Sequence, residues 1–298
     1  MLKIEHAKIE HWQEIEKVLS RVWGDDDYVA IGWRYNVENP ENMITLTALW
    51  DDRPVGTCHI ALKDKTAWFH AMRIDPDFQG KGIAVELSRF AIAEAKARGI
   101  KRCMAAIDSD NIPSQKMTKR VGFELLYEYE ALSPAEGNTN CSEVLDENLW
   151  HKAPLEEAEE FLALHLPQLL YPQDMLMIGW TLVTPKVEEV KDALCWDERD
   201  DGGEGEKSCF FNSWRCANAV AYAAIYDFDE DALVMSPVID DLSRWQEALI
   251  ALEQTMQKKE KAVFCIWLTP EDPLYDITIK AGYKKLPDKG YQIWQLLL

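Results

Sequence analysis

Residues 72–99 read MRIDPDFQGKGIAVELSRFAIAEAKARG, and this stretch decides the fold. It predicts a β-strand that runs into a glycine-containing turn and then into a helix over Gly82–Arg98. Gly80 and Gly82 permit positive φ and carry no Cβ, so successive backbone amides can converge on one point at the helix N-terminus. Unpaired N–H groups there favour a phosphate, and Lys81 adds a point charge. Taken alone, the turn fits either a phosphate site or a plain strand-to-helix connection.

Two motifs around this turn resemble motifs A and B of the GNAT superfamily of N-acetyltransferases. The stretch FHAMRIDPDFQGKGIA (69–84) is similar to motif A, whose loop reads Gln/Arg-x-x-Gly-x-Gly/Ala. The family's hydrophobic-x-Pro step precedes the loop at Ile74–Pro76. Downstream, NIPSQKMTKRVGF (111–123) is similar to motif B. Its asparagine, its small residue, its apolar residue and its terminal Gly-Phe pair occur at the spacings of that motif. Both motifs occur in order on the predicted elements, which makes the resemblance specific.

The resemblance implies binding of acetyl-CoA as a cosubstrate, without a metal, and transfer of the acetyl group to an amine. In the family, the strand before the loop separates from its neighbour, and its free amides hold the pantetheine and polarise the thioester carbonyl. The loop amides hold the pyrophosphate, and motif B contacts the pantetheine arm or adjacent groups. The implied cofactor-binding residues are Met72, Ile74, Gln79, Gly80, Lys81, Gly82, Ile83, Ala84, Asn111 and Ser114.

An amine is mostly protonated at pH 7, so transfer needs a base or a water chain to remove a proton. His70 is the leading catalytic candidate, because it lies two residues before Met72 on the same strand face and its ordinary pKa suits the task. The competing interpretation is a strand histidine bonded to a neighbour. His59 and Glu86 are weaker candidates, since each is merely near the motif.

The sequence departs from the family at the general acid. Many members carry a tyrosine four residues before the motif B glycine, where this chain has Thr118. A threonine hydroxyl is far too weak an acid to protonate a leaving thiolate. Tyr127, our second catalytic candidate, or Tyr129 on the next predicted strand can substitute, or water can.

Acidic and aromatic residues cluster at the first predicted helices and their adjoining loops, where we expect the acceptor pocket. They suit a cationic amine through charge and cation–π contact, although each fits a solvated acidic turn or a core aromatic patch as well. We therefore expect a small-molecule or peptide amine acceptor, with a cationic one favoured by this cluster. Its members are Trp23, Asp25, Asp26, Asp27, Tyr28, Trp33 and Tyr35.

Composition limits the functional classes. The 298 residues carry 32 basic and 52 acidic side chains, a net charge of -20, which disfavours a nucleic-acid partner. No apolar run reaches membrane-spanning length and no secretory signal is visible, so we expect no membrane partner. The 7 scattered cysteines contain no CxxC pair, as is typical of reduced thiols in the cytoplasm. Oligomeric state is open, with a homodimer as one option.

The order of predicted elements occurs twice along the chain. Gly82 precedes Gly122 by 40 residues, and Leu242 precedes Gly282 by the same number. We expect a GNAT acetyl-CoA-binding domain over 1–135, a linker with an amphipathic helix over 136–174, and a degenerate GNAT-like domain over 175–298. Each domain is predicted as an α/β fold with a mixed, largely antiparallel sheet and helices on both faces.

The second half lacks the phosphate-binding residues. It has no glycine between Gly205 and Gly282, and Asp240 and Asp241 stand where the pyrophosphate would lie. The leading hypothesis is an acetyl-CoA-dependent N-acetyltransferase whose N-terminal domain is active. The alternative is a non-catalytic acyl-CoA-binding or assembly protein on the same scaffold.

Overall fold

The structure, a computed structural model, describes most of both halves of the chain. The described residues are 1–24, 27–135, 149–154, 156–157, 160, 164, 176–178, 181–183, 195–197, 207–209, 211–216, 219–227, 231–261 and 263–298. They form two compact units: unit 1 comprises Met1–Tyr127 and Tyr291–Leu298, and unit 2 comprises Glu128–Gly290. No helix among these residues is long and apolar enough to cross a membrane.

Unit 1 is built on a six-stranded mixed sheet. Its strands are β1 (Leu2–His6), β2 (Met43–Trp50), β3 (Arg53–Lys63), β4 (Thr66–Ile74), β5 (Arg102–Asp108) and the end of β16 (Tyr283–Leu297), in the order β1-β2-β3-β4-β5-β16. All neighbours are antiparallel except β4 and β5, which are parallel. The helices are α1 (Trp12–Trp23), α2 (Tyr28–Glu38), α3 (Ile83–Ala97) and α4 (Ile112–Arg120). The predicted mixed α/β fold is confirmed.

Two apolar clusters hold unit 1 together. Helix α3 buries Ile83, Leu87, Ala91 and Ala95, which recur every four residues and form one stripe against the sheet. The helix ends at Gly99, whose φ of 74° suits a glycine after the last turn. A second cluster joins residues of α1 and α2 to β4: Ile15, Leu19, Val29, Trp33 and Ala71.

Unit 2 contains the same kinds of elements. Its described strands are β6 (Glu124–Pro134, which begins in unit 1), β7 (His151–Lys152), β8 (Leu176–Ile178), β9 (Thr181–Val183), β10 (Cys195–Asp197), β11 (Lys207–Cys209), β12 (Phe211–Cys216), β13 (Ala219–Asp227), β14 (Asp231–Ile239) and β15 (Val263–Leu268). Its helices α5 (Trp245–Lys258) and α6 (Tyr275–Lys280) pack at one core. The main sheet follows the order β6-β15-β14-β13-β12-β7, with β14 and β15 parallel.

The last strand of each sheet comes from an unexpected part of the chain. In unit 1, β5 pairs with Tyr291–Leu297, at the C-terminal end of the chain. In unit 2, β15 pairs with Glu130–Leu132, which follow the motif B segment. The sequence predicted a closing hairpin over 283–298, but these residues form one strand, β16, in which positive φ at Asp288 and Gly290 does not end the strand.

The expected domain boundaries remain predictions. The first segment of unit 1 ends at Tyr127, close to residue 135, where the sequence analysis expects the first domain to end. The second segment of unit 1, Tyr291–Leu298, is not predicted by the sequence pattern. Most of the predicted linker, 136–174, and most of the acidic stretch 197–207 lie outside the described residues.

Candidate functional site

Strands β4 and β5 separate at the position predicted for the thioester. Their parallel pairing ends at Phe69 and Ala105, while β4 continues to Ile74 along β3. The amide of Asp75 donates to the carbonyl of Val55 on β3. Peptide N–H groups of successive residues in a regular antiparallel pair alternate between the two sides of the strand, so the N–H of Ile74 points away from β3, toward the gap.

A β-bulge lies beside this gap, and the sequence analysis missed it. His59 faces His70 and Thr57 faces Arg73, so two residues of β4 oppose one residue of β3. Ala71 adopts φ of 54°, a left-handed conformation that is uncommon for a residue with a Cβ. Such bulges concentrate near functional sites, but no glycine marks this one in the sequence.

The predicted phosphate loop is an open turn at the start of α3. Asp75 caps a 3-10 turn over Pro76–Phe78, after which Gly80 and Gly82 have φ of 74° and 81°. No atom lies within 4 Å of a Cβ built on either glycine. Within the described chain, the backbone amides of residues 80 to 84 donate no hydrogen bond, and the N-cap of α3 carries no side-chain cap. These donors are available to an anion.

Side chains of this loop have distinct roles. The Nε2 group of Gln79 donates to the carbonyl of Ile74 at 3.1 Å and fixes the turn. The Nζ of Lys81 lies 4.4 Å from the ring centre of Phe78 and 5.4 Å from that of Trp50. Its ammonium is therefore held by cation–π contact beside the loop.

Motif B forms helix α4. The Oδ1 of Asn111 accepts a hydrogen bond from the amide of Ser114 at 3.2 Å and so caps the helix. Asn111 is exposed and Ser114 is half-buried. Thr118, at the family's tyrosine position, is buried, and its carbonyl accepts from the amide of Phe123.

His70 and His59 form a cross-strand pair next to the bulge. Their ring centres are 5.8 Å apart. Burial and, to a lesser extent, the charge of Arg73 together lower the pKa of His70 to about 4. Burial likewise lowers the pKa of His59 to about 3, with contributions from His70 and Arg73. Both imidazoles are therefore neutral at pH 7, and His70 is a weaker base than its ordinary pKa suggested.

This pair makes unit 1 sensitive to acid. The folded state keeps both rings neutral, whereas the unfolded chain protonates them below their ordinary pKa of 6.5. The contribution of the two histidines to the free energy of unfolding is therefore fully present above about pH 6.5. It decreases as the pH drops from there toward about 3. We expect the melting temperature to fall between pH 7 and pH 5, and to fall less in His59→Gln. Equal pH dependence of the two proteins in scanning calorimetry would contradict this assignment.

A buried ion pair joins the α1–α2 connection to β4. The Nε of Arg73 lies 2.8 Å from one oxygen of Asp27, and its Nη2 lies 3.2 Å from the other. Asp27 also caps α2 through the amide of Val29. The guanidinium lies 5.0 Å from the ring centre of the exposed Trp23. Sequence analysis missed Arg73, although a basic residue within the predicted strand, directly before the Ile-x-Pro step, was a signal.

The expected acceptor cluster is only partly available. Asp27 is committed to Arg73, and Trp33 is fully buried with its Nε1 donating to Thr57 at 3.2 Å. Trp23 and Tyr35 are exposed. Asp25 and Asp26, and the side chain of Tyr28, lie outside the described part of the structure.

The remaining catalytic candidates lie in different places. Tyr127 is a half-buried residue of β6 in unit 1, whereas Tyr129 is buried and belongs to unit 2. Glu86 is exposed in the first turn of α3 and pairs with Arg89 at 2.7 Å. Among the described residues, no group of three or more His, Cys, Asp or Glu side chains could hold a metal ion.

Comparison with known proteins gives the class of the domain. Residues 7–123 match the model of the Acetyltransferase (GNAT) family. The gap between β4 and β5, the glycine loop and α3 all lie within this match, so residues 7–123 form a GNAT acetyltransferase domain. The family uses acetyl-CoA as its acyl donor, and its members are acyltransferases.

One curated relative is similar over part of this chain, and two solved structures share its fold. Over 56 residues, 19% of this chain, the sequence is 38% identical to an L-methionine sulfoximine/L-methionine sulfone acetyltransferase from Pseudomonas paraeruginosa. That match spans 33% of the curated relative. The crystal structure of a GCN5-related N-acetyltransferase from Anabaena variabilis superposes on this chain with a TM-score of 0.64. The superposition covers 100% of this chain and 73% of that protein, at 11% sequence identity. A second GCN5-related N-acetyltransferase, from Kribbella flavida, superposes with a TM-score of 0.59. This superposition covers 100% of this chain and 71% of that protein, at 15% sequence identity.

Proposed function

We propose that unit 1 transfers an acetyl group from acetyl-CoA to a primary amine by direct attack on the thioester. The observation that carries the proposal is the gap beyond Phe69 and Ala105, beside which the amide of Ile74 points away from β3 and Met72 lies in the bulge. A pre-positioned N–H stabilises the oxyanion that forms on the thioester carbonyl. No side-chain donor is needed for this part of the reaction.

The open loop supports binding of the diphosphate. The amides of residues 80–84 lie at the start of α3 without internal partners in the described structure, and no Cβ narrows the turn at either glycine. Charge-assisted hydrogen bonds from such amides to a phosphate are worth about 1.5–3 kcal/mol each. Lys81 lies beside this loop and adds positive charge, and the exposed Asn111 can reach the pantetheine arm.

His70 serves as the proton carrier of the proposed reaction. With a pKa of about 4, it cannot deprotonate a free ammonium efficiently, so the neutral amine is the form that reacts. As the nitrogen attacks, its N–H becomes acidic and His70 accepts that proton. The resulting imidazolium is a strong acid, and it returns the proton to the departing sulfur. One group thereby moves the proton from nitrogen to sulfur and replaces the acid absent at Thr118.

Replacing His70 with glutamine tests this role. We expect kcat to fall about 10²-fold with little change in acetyl-CoA affinity, because proton transfer contributes at least that much. In the wild type, kcat/KM should rise with the free-amine fraction and show no inflection near pH 6.5, since His70 is already neutral there. Thiol release with a panel of amines, measured from pH 5 to 9, gives both quantities. Wild-type activity in His70→Gln would exclude His70, and Tyr127 would then be the next candidate.

We further propose that unit 2 is a degenerate copy of the same fold without a cofactor site. Its β13–β14 pair has a bulge where two residues, Ser236 and Pro237, oppose one, as Ala71 and Met72 do in unit 1. Proline has no N–H, so the donor role that the family resemblance implies for Met72 has no equivalent in unit 2. A 3-10 turn at Leu242–Arg244 leads directly into α5, without a glycine loop.

The alternative, a protein that binds acyl-CoA without turnover, rests on the buried Thr118 at the family's tyrosine position. Saturable, amine-dependent thiol release supports the enzyme, whereas tight binding without release across an amine library supports the alternative. The L-methionine sulfone-type acceptors named for the curated relative belong in that library. A cytoplasmic location is proposed on the cysteine pattern alone.

A further inference from the structure

Gly56 lies in the interior of β3, at a position where the backbone conformation does not call for glycine. Glycine weakens a strand, because it loses more conformational entropy on folding and offers no side chain for packing. Gly56 is buried and its φ is not positive, so a residue with a side chain could adopt the same backbone conformation. The reason for a glycine must therefore lie in the space around it.

Strand β4 closes the space beside Gly56. Gly56 is the cross-strand partner of Ile74. A Cβ built on Gly56 would lie 2.9 Å from the carbonyl oxygen of Arg73 and 2.7 Å from Cδ1 of Ile74. The Cδ1 group ends a flexible side chain and can turn away, whereas the carbonyl oxygen moves only with the backbone. Glycine thus permits an approach of β3 to β4 that a residue with a Cβ would prevent.

The carbonyl oxygen of Arg73 and the N–H of Ile74 belong to the same peptide group. A trans peptide is planar, and its C=O and N–H point in opposite directions. Because the oxygen faces Gly56 on β3, the N–H of Ile74 faces the gap that opens beyond the β4–β5 pairing. A contact that displaces this oxygen therefore also displaces the proposed oxyanion donor.

The next peptide group along β4 is held in place on both sides. The amide of Asp75 donates to the carbonyl of Val55 at 2.9 Å, which ties the end of β4 to β3. The Nε2 group of Gln79 donates to the carbonyl of Ile74 at 3.1 Å. The strand is therefore anchored just beyond the contact with Gly56, and the N–H of Ile74 has to take up any displacement there.

We propose that Gly56 is a positioning residue, which sets the distance between β3 and β4 and thereby the position of the Ile74 N–H in the gap. The inference rests on the proposed acetyl transfer, in which this N–H stabilises the oxyanion. With alanine at position 56, the 2.9 Å contact with the Arg73 oxygen would have to open to an ordinary 3.4 Å or more. The donor would then move by about half an ångström, on the scale that matters for a reacting group.

Gly56→Ala tests this role through kcat. We expect kcat to fall about 10-fold, because a misplacement of 1 Å costs up to about 10²-fold. KM for the amine should be unchanged, since the oxyanion forms only during the reaction. Ile60→Val is the control for lost stability: it removes a buried methyl group from β3 and adds no atom against β4. It should lower the melting temperature and keep wild-type kcat.

Ile74→Val separates the backbone contact from the side-chain contact. Valine lacks Cδ1, so adding Ile74→Val to Gly56→Ala removes the 2.7 Å contact and leaves the 2.9 Å contact. The double variant should regain part of the lost melting temperature, while its kcat stays about 10-fold below that of Ile74→Val alone. It also provides a folded protein for the assay if Gly56→Ala alone is unstable. Recovery of kcat to the level of Ile74→Val would overturn the positioning role.

The amide signal of Ile74 reports the position of the N–H without turnover. In ¹⁵N-isoleucine protein, the cross-peak that is absent from Ile74→Val should shift in Gly56→Ala and keep its position in Ile60→Val. An unchanged cross-peak, or wild-type kcat in Gly56→Ala, would overturn the inference. If the proposed function fails instead, the wild type releases no thiol with any amine, and the cross-peak alone decides whether Gly56 sets the strand spacing.

Discussion

Gly82→Glu is expected to weaken acetyl-CoA binding by about 10³-fold or more. Gly82 caps α3 at φ of 81°, and the space a side chain would occupy lies open at the proposed diphosphate position. A glutamate there covers the converging amides and brings a negative charge against the diphosphate. Loss of two or three charge-assisted hydrogen bonds, each worth about 1.5–3 kcal/mol, accounts for the size of the effect.

The chain supplies a matched control for this variant. Gly99 follows the other end of α3, has φ of 74°, and also has no atom within 4 Å of a built Cβ. Gly99→Glu therefore imposes the same charge and a similar backbone strain, and should bind acetyl-CoA like the wild type. Isothermal titration calorimetry measures both affinities, with an expected stoichiometry of one per chain. Wild-type affinity in Gly82→Glu would remove the loop from the site, and two sites per chain would contradict a degenerate unit 2.

Asp27→Asn is expected to destabilise unit 1 by about 3–5 kcal/mol. Asp27 and Arg73 are both buried, and two guanidinium nitrogens contact the carboxylate. Asparagine preserves the size and the cap on α2 but removes the counter-ion, and breaking a buried pair from one side typically costs this much. Urea titration of the unfolding free energy measures the loss.

Two further variants decide whether the buried charge is the cause. Asp77→Asn removes a carboxylate that is 71% exposed and pairs with Arg21 at 3.0 Å, and it should cost at most about 1 kcal/mol. Combining Asp27→Asn with Arg73→Met should recover most of the loss, because no uncompensated charge remains. If the double variant is no more stable than Asp27→Asn, the destabilisation comes from packing or from the cap instead.

Local sequence determined the predicted phosphate loop and the helix that follows it. Gly80 and Gly82 adopt the positive φ that glycine permits, and the four-residue spacing from Ile83 to Ala95 forms the buried stripe of α3. These features depend on neighbours within a few positions along the chain, so a pattern of residue types predicts them. The mixed α/β fold followed from the order of such elements.

Only the tertiary structure decided what depends on residues far apart in sequence. The strand that completes the sheet of unit 1 comes from residues 291–297, because β-pairing is chosen by shape and burial and not by distance along the chain. The bulge at Ala71, the pairing of Asp27 with Arg73 and the low pKa of His70 likewise arise from burial among residues dozens of positions away. The sequence tells which side chains are present. Their protonation states and orientations depend on surroundings that form only when the chain folds.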